Sequence, residues 1–260
     1  MVTNMPPAPS LVVVPDTGHS HDAADQRCSY SRLRDRWTLK ADCELTAALE
    51  LPANTSLDGE GHTITLTGDA ERFGSAAIRA SGADVVKLTV DGSKLLPCAP
   101  TYFAAITLAA PGRISDTTVR DVRFAGSPHS AVGIEIAAFG YAATVLQDVT
   151  LDNVSGVGLL LIGDGQVTIE RVRSNNVTSV VHIGGMVAAT LSDAELVGSR
   201  VDVLAQDQSR VRITNTSSMG ERIAEDEAII HQDTLVFIGA GGRGQGRRRT
   251  MTGTGQNRLI

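Results

Sequence analysis

The chain is poor in aromatic residues, with five Phe, three Tyr and one Trp in 260 positions. A core without large rings must be filled by small and β-branched side chains, which suits narrow stacked layers of strands. Cysteine is nearly as scarce. Cys28, Cys43 and Cys98 are odd in number and too few for a disulfide scaffold. Free thiols are therefore expected, a Cys28–Cys43 pair being the alternative in an oxidising compartment. No stretch approaches the ~20 apolar residues of a membrane span. The early LVVV run has no basic flank and is shorter than a secretory core of ~7–15 residues. These features predict a soluble cytoplasmic protein without a membrane partner.

Excess positive charge is lacking too. The formal net charge is −6, and five of the arginines lie in 239–260, a stretch without acids. The remaining body is more acidic still, which excludes nucleic acid as an expected partner. No P-loop, dinucleotide fingerprint, zinc-ligand spacing or nucleophile elbow occurs, so no cofactor and no metal are expected.

What the chain does have is a degenerate repeat from about Ala76 to Ser217. The apolar anchors Ile78, Ile106, Ile134, Leu159, Val181 and Val201 recur 20 to 28 residues apart. Each unit carries a short strand near its start and a second about ten residues later, with Gly, Asn, Asp or Ser at the corners. Such periods predict an all-β solenoid. Residues 1–27 read as a flexible leader. Residues 28–238 read as one domain, in which 28–50 form an N-terminal cap plugged by Trp37 with one helical turn. Residues 239–260 read as a disordered Gly/Arg-rich tail. The four Asn-X-Ser/Thr sequences at Asn54, Asn153, Asn176 and Asn215 fall at predicted corners, where asparagine ladders explain them better than glycosylation.

The segment Leu57-Asp58-Gly59-Glu60-Gly61-His62-Thr63-Ile64 places a tight turn between two short strands. Together with the later VRDVRF, LQDVTL and IERVRS units, it resembles the right-handed parallel β-helix, or pectin-lyase-like, superfamily over about Leu51 to Ser218. The resemblance implies a right-handed parallel β-helix of about seven coils, and a carbohydrate, uronate-like substrate. It does not carry over the family's catalytic motifs. No calcium-binding aspartate cluster is phrased here, Gly163-Asp164-Gly165 reads as a turn, and Ser127-Pro128-His129-Ser130 keeps only the histidine of an epimerase-type DPHD.

Side chains alternate along a strand, so the residue after each inward anchor points outward. That column reads Arg79, Thr107, Glu135, Leu160, His182, Asp202. Asp202 is expected beside His182, raising its pKa and fixing its tautomer to make a base or acid. Glu135 is the second catalytic candidate. Leu160 lowers the dielectric beside it, and Arg79 is placed to hold a substrate carboxylate. Thr107 and His129 complete the expected substrate-binding set. A second outward column, Thr89, Arg123, Thr150, Arg173 and Glu195, reads as a polar wall. The leading expectation is an acid/base enzyme of lyase, epimerase or isomerase type acting on a carbohydrate. The alternatives are an isomerase or cyclase of a small intracellular metabolite on the same site, and a non-catalytic glycan-binding or structural β-helix. Metal chemistry through His182 with Glu135 or Asp202 has no spacing motif behind it, and the oligomeric state is left open.

Overall fold

Asp and Asn at regular intervals let this backbone turn corners without leaving its strands. In the computed structural model, which describes residues 28–96, 101–125, 130–140, 142–197, 200–218, 220–234 and 247–252, most non-glycine residues with positive φ are Asp or Asn. These are the side chains that best tolerate left-handed backbone. The 20-residue strand Thr144–Gly163 bends at Asp148 (φ 53°) and Asn153 (φ 59°), and so contributes to three successive parts of the sheet.

The result is nearly all β, 63% strand, with a 3-10 turn at Ala70–Phe73. The strands join one large, mostly parallel sheet that curls into a half-barrel. Its parallel pairings fall into three lanes. The first lane takes Leu49–Glu50, Ala76–Ala80, Phe103–Leu108, Ala131–Ala138, then 157–163, 179–183, Val201–Ala205 and Glu221–Ala224. The second runs from Arg36–Leu39 through Gln166–Glu170 and Arg210–Thr214 to Ile229–Thr234. The third runs from Cys43–Leu45 through Thr89–Leu95 to Ser217–Ser218. No helix among the described residues is long and apolar enough to cross a membrane.

Inward positions stack along each lane into one continuous core. Ile78, Ile106, Ile134, Leu159 and Val181 are all buried and stand in direct register. The few aromatics are concentrated, with Phe103 packed edge-on between Phe73 and Phe124 at centroid distances of 5.9 and 5.6 Å.

Corner side chains stack as well. Asn153 donates to Asp121, Asn176 donates to Asn153 at 2.8 Å, and Asn215 donates to Asp193. All four sequon asparagines have positive φ, Asn54 at 59° included. Arg171 holds Asp148 through two bonds of 2.7 and 2.9 Å on a corner of its own.

The N-terminal stretch corrects two expectations. Residues 28–50 contain no helical turn; they hold the antiparallel hairpin Tyr30–Leu33 and Arg36–Leu39 followed by two short strands. Trp37 packs against the core and Tyr30, with the Arg32 guanidinium 4.0 Å above its ring. Cys28 and Cys43 are not free thiols but a disulfide, because the hairpin returns residue 28 to the strand holding residue 43. Cys98, the 1–27 leader and much of the 239–260 tail lie outside the described residues. Within 239–260, the described residues Arg247–Thr252 pair antiparallel with Ile229–Thr234.

The last layer changes character. The inward slots filled by Leu196, Val203 and Ile213 pass to Ser218, Arg222 and Gln232 in the next strands. Arg222 bonds Gln232 Oε1 at 2.7 Å and also the Ser218 hydroxyl. Burial lowers its pKa, and the charge of Asp202 partly offsets this.

Candidate functional site

The outer face of the first lane carries the expected column almost to its end. Glu50, Arg79, Thr107, Glu135, Leu160 and His182 occupy successive register positions. The residue next in line after His182 is Leu204, not Asp202. The stacking partner of Val181 is Val203, and Ser179 is the partner of Val201, so the expected anchor was two residues early. Asp202 is fully buried, accepts a bond from the Gly220 N–H at 2.8 Å, and belongs to the Arg222 end of the core. It does not reach His182's face. The second outward column is likewise adjusted: Thr118, not Arg123, lies between Thr89 and Thr150.

Two hydrogen-bonded groups remain on the face. Thr107 Oγ1 donates to Glu135 Oε2 at 2.9 Å. Beside them stands Tyr102, whose hydroxyl is shut off from solvent. Burial, reinforced by the negative charge of Glu135, raises its pKa well above the ordinary phenol value. Tyr102 was not among the expected site residues. Its only sequence signal was a rare aromatic just ahead of Phe103–Leu108.

Beyond Leu160, His182 Nε2 lies 2.5 Å from Gln206 Oε1, and Gln206 Nε2 donates to Glu225 Oε2 at 2.7 Å. The direction of this chain is forced. An ionised carboxylate only accepts, so the Gln206 amide group faces Glu225 and its carbonyl faces His182. Nε2 therefore carries the proton in neutral His182, and Nδ1 keeps the lone pair. Gln206 and Glu225 thus take over the orienting role expected of Asp202.

Between the two groups the face is aliphatic. Leu160 separates Glu135 from His182 in register, and Ala137 stands against Ile162 two residues along. Adjacent strands are ~4.8 Å apart, so Glu135 and His182 straddle a strip about 10 Å wide at the backbone.

Arg79 does not take part. It is engaged by Glu50 and by the Phe73 carbonyl at 2.6 Å, two strands away from Glu135. His129 lies outside the described residues. Among the described residues no group of His, Cys, Asp and Glu is arranged to hold a metal ion. No protein-family model matches the chain, and no curated protein matches it.

Proposed function

We propose that this protein is an acid/base enzyme of lyase or epimerase type acting on a saccharide laid across the outer face of the first lane. In this reading the curled sheet is a right-handed β-helix of about seven coils, of the pectin-lyase-like kind. One observation carries the function: Glu135, held by Thr107, and His182, oriented by Gln206 and Glu225, flank an aliphatic strip on a single face. Two proton-transfer groups on either side of an apolar floor suit a pyranose ring, whose C–H face is apolar and whose rim is polar. His182 Nδ1 takes the proton from a ring carbon. Glu135, once it has taken a proton from solvent, delivers it either to the opposite face of that carbon, which is epimerisation, or to the departing glycosidic oxygen, which is elimination.

The Cys28–Cys43 disulfide favours an oxidising compartment over the cytoplasm. It therefore favours a saccharide over a small intracellular metabolite. A uronate remains the substrate class, without the Arg79 contact to its carboxylate that was expected, because Arg79 is engaged by Glu50 and the Phe73 carbonyl.

A non-catalytic glycan-binding face is the second reading, supported by the strip itself, which offers area without any reactive group. Turnover separates the two. Wild type, Glu135→Gln and His182→Gln are compared on polyuronate oligosaccharides, following ultraviolet absorbance for unsaturated products and NMR for inverted centres. Activity lost in both variants supports the enzyme; binding without turnover in all three proteins supports the binding module.

A further inference from the structure

Phe139 and Met186 are out of place. Phe73, Phe103 and Phe124 are buried, yet Phe139 is 57% exposed, and Met186 is 58% exposed. Each lies four residues past a site residue, beyond the end of that residue's strand. Phe139 is the first residue after Ala131–Ala138, and Met186 stands on the turn that follows Arg173–Ile183. Alternation keeps positions 135, 137 and 139 on one face. Phe139 thus continues the face of Glu135, about 13 Å along the strand direction, and Met186 stands at the same corner, its N–H donating to the Gly163 carbonyl at 2.7 Å.

The corner is built to seat the ring. Between the two strands lies Gly163, at φ 125°, where an added Cβ would stand 2.1 Å from the Ala138 carbonyl oxygen and 3.2 Å from Phe139 Cδ1. No side chain fits, and the Phe139 ring lies against the bare backbone, on the side toward Met186. Asp164 then pins the turn, accepting from the Gly140 N–H at 3.1 Å and donating its own N–H to the Ala138 carbonyl at 2.9 Å. The ring is exposed but held, so little ordering opposes a contact with it.

Resting on the function proposed above, we infer that Phe139 and Met186 form an apolar clamp for the sugar unit next to the one between Glu135 and His182. The substrate is then an oligosaccharide or polymer, not a single sugar. The C–H face of a pyranose stacks on the Phe139 ring, and Met186 closes the far side with its flexible thioether chain. Gly163 leaves room for the ring between them.

The test is binding by calorimetry of polyuronate and neutral glucan fragments, from monosaccharide to hexasaccharide. The proteins are wild type, Phe139→Ala, Met186→Ala, the double variant and Phe139→Trp. The expected result is about tenfold weaker binding of the longer fragments by Phe139→Ala, with more in the double variant. Monosaccharide binding should be unchanged and Phe139→Trp should retain affinity. Equal affinity of the double variant and wild type for a hexasaccharide overturns the clamp while leaving the acid/base reading standing. Weakened binding in the clamp variants, with turnover indifferent to Glu135→Gln and His182→Gln, keeps the clamp and removes the enzyme. If wild type binds none of the fragments, both are wrong.

Discussion

Gln206 stands beside His182 with Oε1 2.5 Å from Nε2, and passes the constraint on to Glu225. This fixes one tautomer of the imidazole by the chemistry of three side chains on adjacent strands. Nitrogen NMR of the neutral ring should show the Nε2–H form alone. Gln206→Leu should give a mixture of tautomers, and any catalytic rate that depends on Nδ1 should fall with it. A mixture already present in wild type would remove the orienting role.

The corner asparagines separate a conformational effect from a hydrogen-bonding one. Asn176 has φ 52° and donates to Asn153. Asn176→Ala loses the bond and places an unfavourable residue in left-handed backbone, for an expected cost of about 1–3 kcal/mol in urea unfolding. Asn176→Gly loses only the bond and should cost clearly less. Equal losses would mean that strain contributes nothing at this corner.

Arg222 closes the core by reaching both Ser218 and Gln232. Arg222→Ala should destabilise by about 1–3 kcal/mol, because two half-buried partners are left unsatisfied. Combining Arg222→Leu with Ser218→Ala and Gln232→Leu should recover part of that loss. It should also create concentration-dependent association in sedimentation, since an apolar outermost layer of stacked strands invites pairing with a second copy. A monomeric triple variant would show that other residues cover this end.

Two buried carboxylates predict acid sensitivity. Burial pushes Asp58 up, but the Glu60 N–H, Arg36 and Lys87 outweigh it and the net shift is downward. Burial of Asp91 is likewise outweighed by Ser93 and Arg120. A carboxylate with a depressed folded-state pKa contributes stability above its unfolded value of about 3.9, and that stability is lost as pH falls through the folded value. Thermal midpoints should therefore drop below about pH 4, less steeply in Asp58→Asn and Asp91→Asn. Parallel pH curves for these variants and wild type would contradict the assignment.

Cys28 and Cys43 are 15 residues apart. Closing a loop of that size restricts the unfolded chain by about 3 kcal/mol in the entropic account. Reduction should lower the unfolding midpoint, with exchange rising first in Tyr30–Leu39. Cys28→Ser with Cys43→Ser should match the reduced protein. No change on reduction would place the stability of this end in the Trp37 packing instead.

The local repeat determined a great deal without any structure. Apolar anchors, outward alternation and Asn or Asp at corners follow from strand geometry and backbone sterics, which act over a few residues. They are why Arg79, Thr107, Glu135, Leu160 and His182 could be lined up in order, and why Asn54, Asn153, Asn176 and Asn215 fell on turns. Register across lanes is a different matter. Val201 and Val203 are equally good anchors in isolation. Only the pairing of Val203 with Val181 decides that Asp202 turns into the core toward Arg222 while Leu204 takes the place beside His182. The same holds for Tyr102 against Glu135, Gln206 between His182 and Glu225, and Cys28 against Cys43. These contacts join residues that are distant in sequence, and their partners are set by how each layer lies on the next.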